Sequence, residues 1–189
     1  MLEQTITLLR QLKLSGMANA LVNQLEQPST YEGLSFAERL QLLADSENQD
    51  REHRKQQRLL KAAKFKLAAN ARDIDYHHPR GLNQSMVASL LQCDWLNKSQ
   101  NLLVTGPCGS GKTYITCALA HTGCMKGYSV KYYRLSRLLL ALTQAKADGT
   151  YSRVLQSLAK IDLLILDDWG LEPLKAAQRN DLMATTILT

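Results

Sequence analysis

Leu102-Leu-Val-Thr105, followed by Gly106-Pro107-Cys108-Gly109-Ser110-Gly111-Lys112-Thr113, is the stretch that decides the fold. Its first four residues predict a buried strand, and residues 112 to about 126 predict a helix. Between them Gly106-x-x-x-x-Gly111-Lys112-Thr113 is a complete Walker A pattern. Gly109 and Gly111 let the backbone curl until several amide hydrogens face one anion. The helix that follows turns its positive end to the same point. All eight residues from Gly106 to Thr113 are therefore candidate contacts to a nucleotide, read as ATP. Lys112 is the candidate catalytic cation, reaching the β- and γ-phosphates, and Thr113 the candidate ligand of Mg²⁺.

Downstream, Val130-Lys-Tyr-Tyr133 predicts a second strand, with helices at about 135–147 and 151–160. The apolar run Leu163-Leu-Ile-Leu166 predicts a third strand, and it ends in Asp167-Asp168. A strand ending in carboxylates is the companion that a Walker A loop requires. Asp167 is expected to hold Mg²⁺ through water, and Asp168 to orient the attacking water as a general base. Alternating strands and helices imply an α/β fold with a parallel sheet. Thr105 and Asp167 then share its carboxyl edge, where open α/β sheets bind ligands. A helix follows at about 175–183, and Ala184-Thr-Thr-Ile-Leu-Thr189 reads either as a strand or as its extension.

Upstream, residues 1–70 read as a helical domain. Leu8, Leu9, Leu12 and Leu14 form one apolar cluster, and Met17, Leu21, Val22 and Leu25 form a helix that stops at Pro28. Ser35-Phe-Ala-Glu38 is a capping box opening a long helix toward Leu67. Residues 71–100 read as a linker with a lead-in helix at about 83–92, and 101–189 as the P-loop core.

Arg51, Arg54, Lys55, Arg58, Lys61 and Lys64 recur every three or four residues, which places them on one helical stripe. Such a stripe suits the phosphates of double-stranded DNA without reading bases; a solvated helix face is the plainer alternative. The charge balance, 23 Lys and Arg against 17 Asp and Glu, also favours an anionic partner. Four cysteines without a Cys-x-x-Cys pair fit a reduced compartment rather than a zinc site. No run approaches the roughly 18 apolar residues that span a bilayer. A cytoplasmic protein is expected.

These motifs resemble the IstB-type transposition helper ATPases, relatives of bacterial helicase loaders in the AAA+ class. The resemblance runs through Leu14-Ser-Gly-Met-Ala18, Ser35-Phe-Ala-Glu-Arg-Leu40, Asp73-Ile-Asp-Tyr76, Pro79-Arg-Gly-Leu82, Asp94-Trp95, the Walker A loop and Asp162 to Leu171. It implies an ATP-dependent, DNA-binding homo-oligomer that assists a transposase, with residues 73–82 passing the adenine. In that family a polar sensor strand lies between the Walker A and Walker B strands, and an arginine finger and helical lid follow. This chain ends at Thr189, ahead of the arginine finger and lid. Read as a strand, residues 184–189 would be the sensor strand with Thr189 as its polar group; read as a helix end, they would leave that strand missing. On that pattern the sheet is a partial AAA+ sheet with a strand-wide gap of roughly 9–10 Å, and ATP hydrolysis is expected to be weak. A catalytically inactive remnant and a helicase loader are the alternatives. A small-molecule kinase has only Arg134 and Arg137 in its favour.

Overall fold

The computed structural model describes residues 2–78, 81–171 and 173–188, of which 186–188 as backbone only. It is a mixed α/β structure, 63% helical, with a small parallel sheet. The chain divides into two compact units between Gln57 and Arg58.

The first unit holds α1 (Leu2–Gln11), α2 (Ser15–Glu26), the single turn α3 (Pro28–Tyr31) and most of α4 (Phe36–Ala63). Pro28 ends α2 and occupies the first turn of α3, where its missing N–H costs nothing. The capping box forms: Ser35 N donates to Glu38 Oε2 across 2.7 Å, and Glu38 N donates to Ser35 Oγ across 3.3 Å. The unit is pinned where α2 starts against α4. Glu47 Oε2 accepts from Gly16 N at 2.9 Å and Met17 N at 3.2 Å, two first-turn amides with no partner inside α2. Ser46 Oγ donates to Gly16 O. A Cβ on Gly16 would lie 2.6 Å from Ser46 O, so glycine is what allows the approach.

In the second unit α4 ends at Ala63, four residues short of Leu67, because Lys64 turns into the left-handed region at φ 55°. Lys131 Nζ donates to Ala62 O at 2.9 Å and satisfies one of the terminal carbonyls. After a 3₁₀ turn (Ala71–Asp73) come α5 (Gln84–Leu91), α6 (Asp94–Asn97) and α7 (Lys112–Met125). Then β1 (Val130–Arg134), α8 (Leu135–Ala147), α9 (Tyr151–Leu158), β2 (Leu163–Asp167) and α10 (Ala176–Leu188) complete the chain.

Strands β1 and β2 are parallel, in register from Val130 opposite Leu163 to Arg134 opposite Asp167. A polar clamp sets this register. Ser129 N and Ser129 Oγ both donate to Asp162 Oδ2 at 2.7 Å, while Asp162 N donates to Ser129 Oγ at 3.0 Å. Strand alternation then sorts the side chains onto two faces. Val130, Tyr132, Leu163 and Ile165 join α7 through Cys117, Ala118, Ala120 and Cys124. Tyr133, Leu164 and Leu166 join Leu135, Leu138, Leu142, Leu158 and Leu182 from α8, α9 and α10.

One expectation changes, and of the two readings of the tail the helical one is found. Leu102–Thr105 sits in no ladder, and the described sheet has two strands rather than three. The physical reason is spacing: a cleft of about 260 Å³ separates Leu102 and Val104 from Leu163, Leu164 and Ile165, and no described strand bridges it. The tail is helical through Leu188, and α10 is docked by Leu182 in the apolar face and by buried Asp181. Asp181 accepts from Tyr151 Oη at 2.8 Å and pairs with Lys146. Thr189, a candidate polar sensor, lies outside the described residues, as do Pro79 and Arg80 of the lead-in segment.

Candidate functional site

The loop from Gly106 to Gly111 leads straight into α7. Gly106, Gly109 and Gly111 take φ of 151°, 79° and 88°, backbone that side-chain-bearing residues rarely adopt. Gly111 is the N-cap of α7, so the amides of Lys112 and Thr113 belong to the unpaired first turn, the part of a helix suited to anions. Gly106, Pro107, Cys108 and Gly109 are exposed; Ser110, Gly111, Lys112 and Thr113 are half-buried. The loop is a shallow cradle rather than a cavity. The clefts of about 280 Å³ and 260 Å³ lie elsewhere, one beside Leu59, Lys131 and Tyr133 and the other beside Leu102 and Leu163.

Lys112 folds back over the loop. Its Nζ donates to Gly106 O and Pro107 O, both at 2.7 Å. The ammonium therefore already hangs above the cradle, held by two carbonyls that a phosphate can replace.

Asp167 is where the loop and the sheet meet. Its Oδ2 accepts from Thr113 Oγ1 at 3.0 Å and from Tyr132 Oη at 2.5 Å, and Lys66 Nζ lies 3.6 Å away. Its Oδ1 accepts from Asp168 N at 2.9 Å. Burial pushes the Asp167 carboxyl up, but the hydrogen bonds from Tyr132, Asp168 N and Thr113, with the Lys66 charge, outweigh it and hold it below the ordinary value. Burial also raises the Tyr132 phenol, as does its bond to Asp167, so Tyr132 stays a donor. An ionised carboxylate next to a hydroxyl is a hard oxygen donor set. Mg²⁺ takes oxygen ligands, so Thr113 and Asp167 are the residues that would hold it here, Asp167 through water, and it would supply charge neutralisation to the phosphates.

Asp168 is at φ 60°, which turns its carboxylate away from the strand line, with Arg134 Nε 3.7 Å from its Oδ2. Trp169 beyond it is exposed. Lys112, Thr113 and Asp167 are thus gathered at one sheet edge, and Asp168 is adjacent. Lys66 and Tyr132 were not foreseen in this group. Strand parity could have found Tyr132, two residues from the carboxyl end of β1. Nothing local marks Lys66, which arrives from the segment after α4.

The six cations of the basic stripe are all exposed. Arg51 pairs with Glu47 at 2.7 Å, and Arg54 with Glu47 at 3.4 Å and Asp50 at 3.0 Å. Lys55, Arg58 and Lys61 continue along α4, and Lys64 lies just past its end. Among the described residues no helix is long and apolar enough to cross a membrane.

Residues 7–187 match the family described as IstB-like ATP binding protein. An insertion-sequence ATP-binding protein of Pseudomonas fluorescens is 47% identical over 97% of this chain and 79% of its own length. One from Sinorhizobium fredii is 41% identical over 95% of this chain and 73% of its own. Another, from Mycobacterium tuberculosis, is 33% identical over 92% of this chain and 69% of its own. The chain belongs to the IstB-like ATP-binding protein family.

Proposed function

We propose that this chain binds Mg²⁺·ATP at residues 106–113 and serves as a DNA-associated helper of a transposase. The observation that carries the reading is the Thr113–Asp167 hydrogen bond of 3.0 Å, which brings the phosphate loop and the strand-end carboxylate to one point. Lys112 would neutralise the β- and γ-phosphates, Thr113 and Asp167 would hold Mg²⁺, and Asp168 would orient water. The ion's part is to neutralise phosphate charge. The partner is taken from the insertion-sequence setting in which the relatives are named. Self-association of the chain belongs to the same reading.

For DNA, the exposed Lys55, Arg58 and Lys61 of α4 support phosphate contact better than Arg51 and Arg54, whose charge is shared with Glu47 and Asp50. Fluorescence anisotropy with a duplex of arbitrary sequence, titrated over salt, tests this. Substituting Lys55, Arg58 and Lys61 together by Ala should flatten the slope of log affinity against log salt by about 2 to 3. An unchanged slope would remove α4 from the DNA contact. Turnover is tested separately, by phosphate release with and without that duplex, in the native chain and in Asp168→Asn.

A further inference from the structure

The Tyr132 hydroxyl has a place in the site that no Walker motif provides. Tyr132 lies on β1, opposite Ile165 in the parallel register, with Asp167 two residues further along β2. Alternation puts Tyr132 and Asp167 on the same sheet face, the one covered by α7. Tyr132 is 8% exposed and belongs to the cluster with Cys117, Ala118 and Val130. Only the hydroxyl leaves this apolar setting, and it donates to Asp167 Oδ2 at 2.5 Å. The same oxygen accepts from Thr113 at 3.0 Å, and the other oxygen takes the Asp168 amide. Three donors from three elements thus fix the rotation of one carboxylate.

We propose that Tyr132 is a positioning residue for the metal-binding carboxylate. Its hydroxyl holds Asp167 in the rotation that sets the carboxylate beside Thr113, and Mg²⁺ would gain affinity without Tyr132 touching it. The proposal rests on the nucleotide site described above. Phe differs from Tyr by that one oxygen, so Tyr132→Phe keeps the ring in the core and removes one of the three donors that fix Asp167. Residues that orient a metal ligand commonly contribute about ten- to a hundredfold in metal affinity.

The test is Tyr132→Phe in the full chain, read by ATP binding in Mg²⁺ and again in EDTA. The expected result is a loss of about tenfold in the Mg²⁺-dependent gain in affinity, with binding in EDTA unchanged. A variant that keeps the full Mg²⁺ gain overturns the proposal. If the native chain binds no ATP in either buffer, the nucleotide reading itself fails, which is a different result. Should the Phe variant not fold, 3-fluorotyrosine at position 132 gives a second readout by fluorine NMR. Its resonance should move when Mg²⁺ is added to the ATP-bound chain and stay put when nucleotide is added in EDTA. A resonance indifferent to Mg²⁺ overturns the proposal equally.

Discussion

Thr113 Oγ1 donates to Asp167 Oδ2 across 3.0 Å, so one hydrogen bond joins the first turn of α7 to the end of β2. The two residues are far apart in sequence, and the parallel pairing of β1 with β2 is what brings the carboxylate beneath the helix. Thr113→Ala and Asp167→Asn should each reduce the Mg²⁺-dependent part of ATP binding by about tenfold or more. Because both act on one ion, the double variant should lose little beyond either single one. Calorimetric titration with and without EDTA measures all four proteins; strictly additive losses would contradict a shared ion.

Glu47 predicts a pH dependence. Burial pushes its carboxyl up, but hydrogen bonds from Arg51 and from the Met17 and Gly16 amides, with the Arg51 charge, outweigh it and hold it below the ordinary value. A carboxyl lowered on folding contributes stability that is complete above its unfolded value and is lost as pH falls through the folded one. The helical signal of the first unit should therefore weaken as pH drops below about 4. Glu47→Gln should remove most of that acid sensitivity and cost about 1–3 kcal/mol at neutral pH. Circular dichroism melts at several pH values measure both; equal acid sensitivity in the variant would contradict the assignment.

Gly16 predicts a steric penalty in the same unit. An added Cβ meets Ser46 O at 2.6 Å and Glu47 Cα at 2.8 Å, both backbone atoms of α4 that cannot rotate away. Gly16→Ala should destabilise the first unit by about 1–3 kcal/mol although Ala is the better helix former. Gly33→Ala, with open space around it, is the control and should be near neutral. Equal thermal midpoints for the two variants would rule out the close approach.

The Ser129–Asp162 clamp predicts a cost in the second unit. Asp162→Ala leaves Ser129 N and Ser129 Oγ without their 2.7 Å acceptor at the start of both strands. Both groups are near solvent, so a loss of about 1–2 kcal/mol is expected rather than more. Hydrogen exchange should show faster opening of β1 and β2 with α10 unaffected. Uniform protection across the sheet would show that packing alone sets the register.

Much of the site was legible in the sequence because its parts are local. The loop, its glycines and the helix after it lie in one run, and Leu163 to Asp168 is a single strand with its end. The capping box at Ser35 and Glu38 was legible for the same reason. What escaped depends on packing across distance. Tyr132 and Lys66 reach Asp167 through tertiary placement. The pairing of Glu47 with Arg51 and of Asp50 with Arg54 is different, an i,i+4 spacing that helical periodicity does mark and that a reading of the cations alone leaves out. Leu102–Thr105 has strand composition, yet a strand also needs a partner, and between Leu102, Val104 and β2 lies a cleft rather than a ladder. The end of α4 moved for a simpler reason: Lys64 is left-handed, a conformation that neither its residue type nor its neighbours announce.

The central claim is that residues 106–113 hold the phosphates of ATP with Lys112 as their cation. Equilibrium titration of a fluorescent ATP analogue in Mg²⁺, comparing the native chain with Lys112→Ala, tests it most directly. Lys112 lies against Gly106 O and Pro107 O, so its removal costs the fold little, and the two proteins should melt alike. The account predicts saturable binding by the native chain and a loss of about tenfold or more, about 1.4 kcal/mol at the least, in the variant. Equal affinity in the two folded proteins, or no binding by the native one, would contradict it.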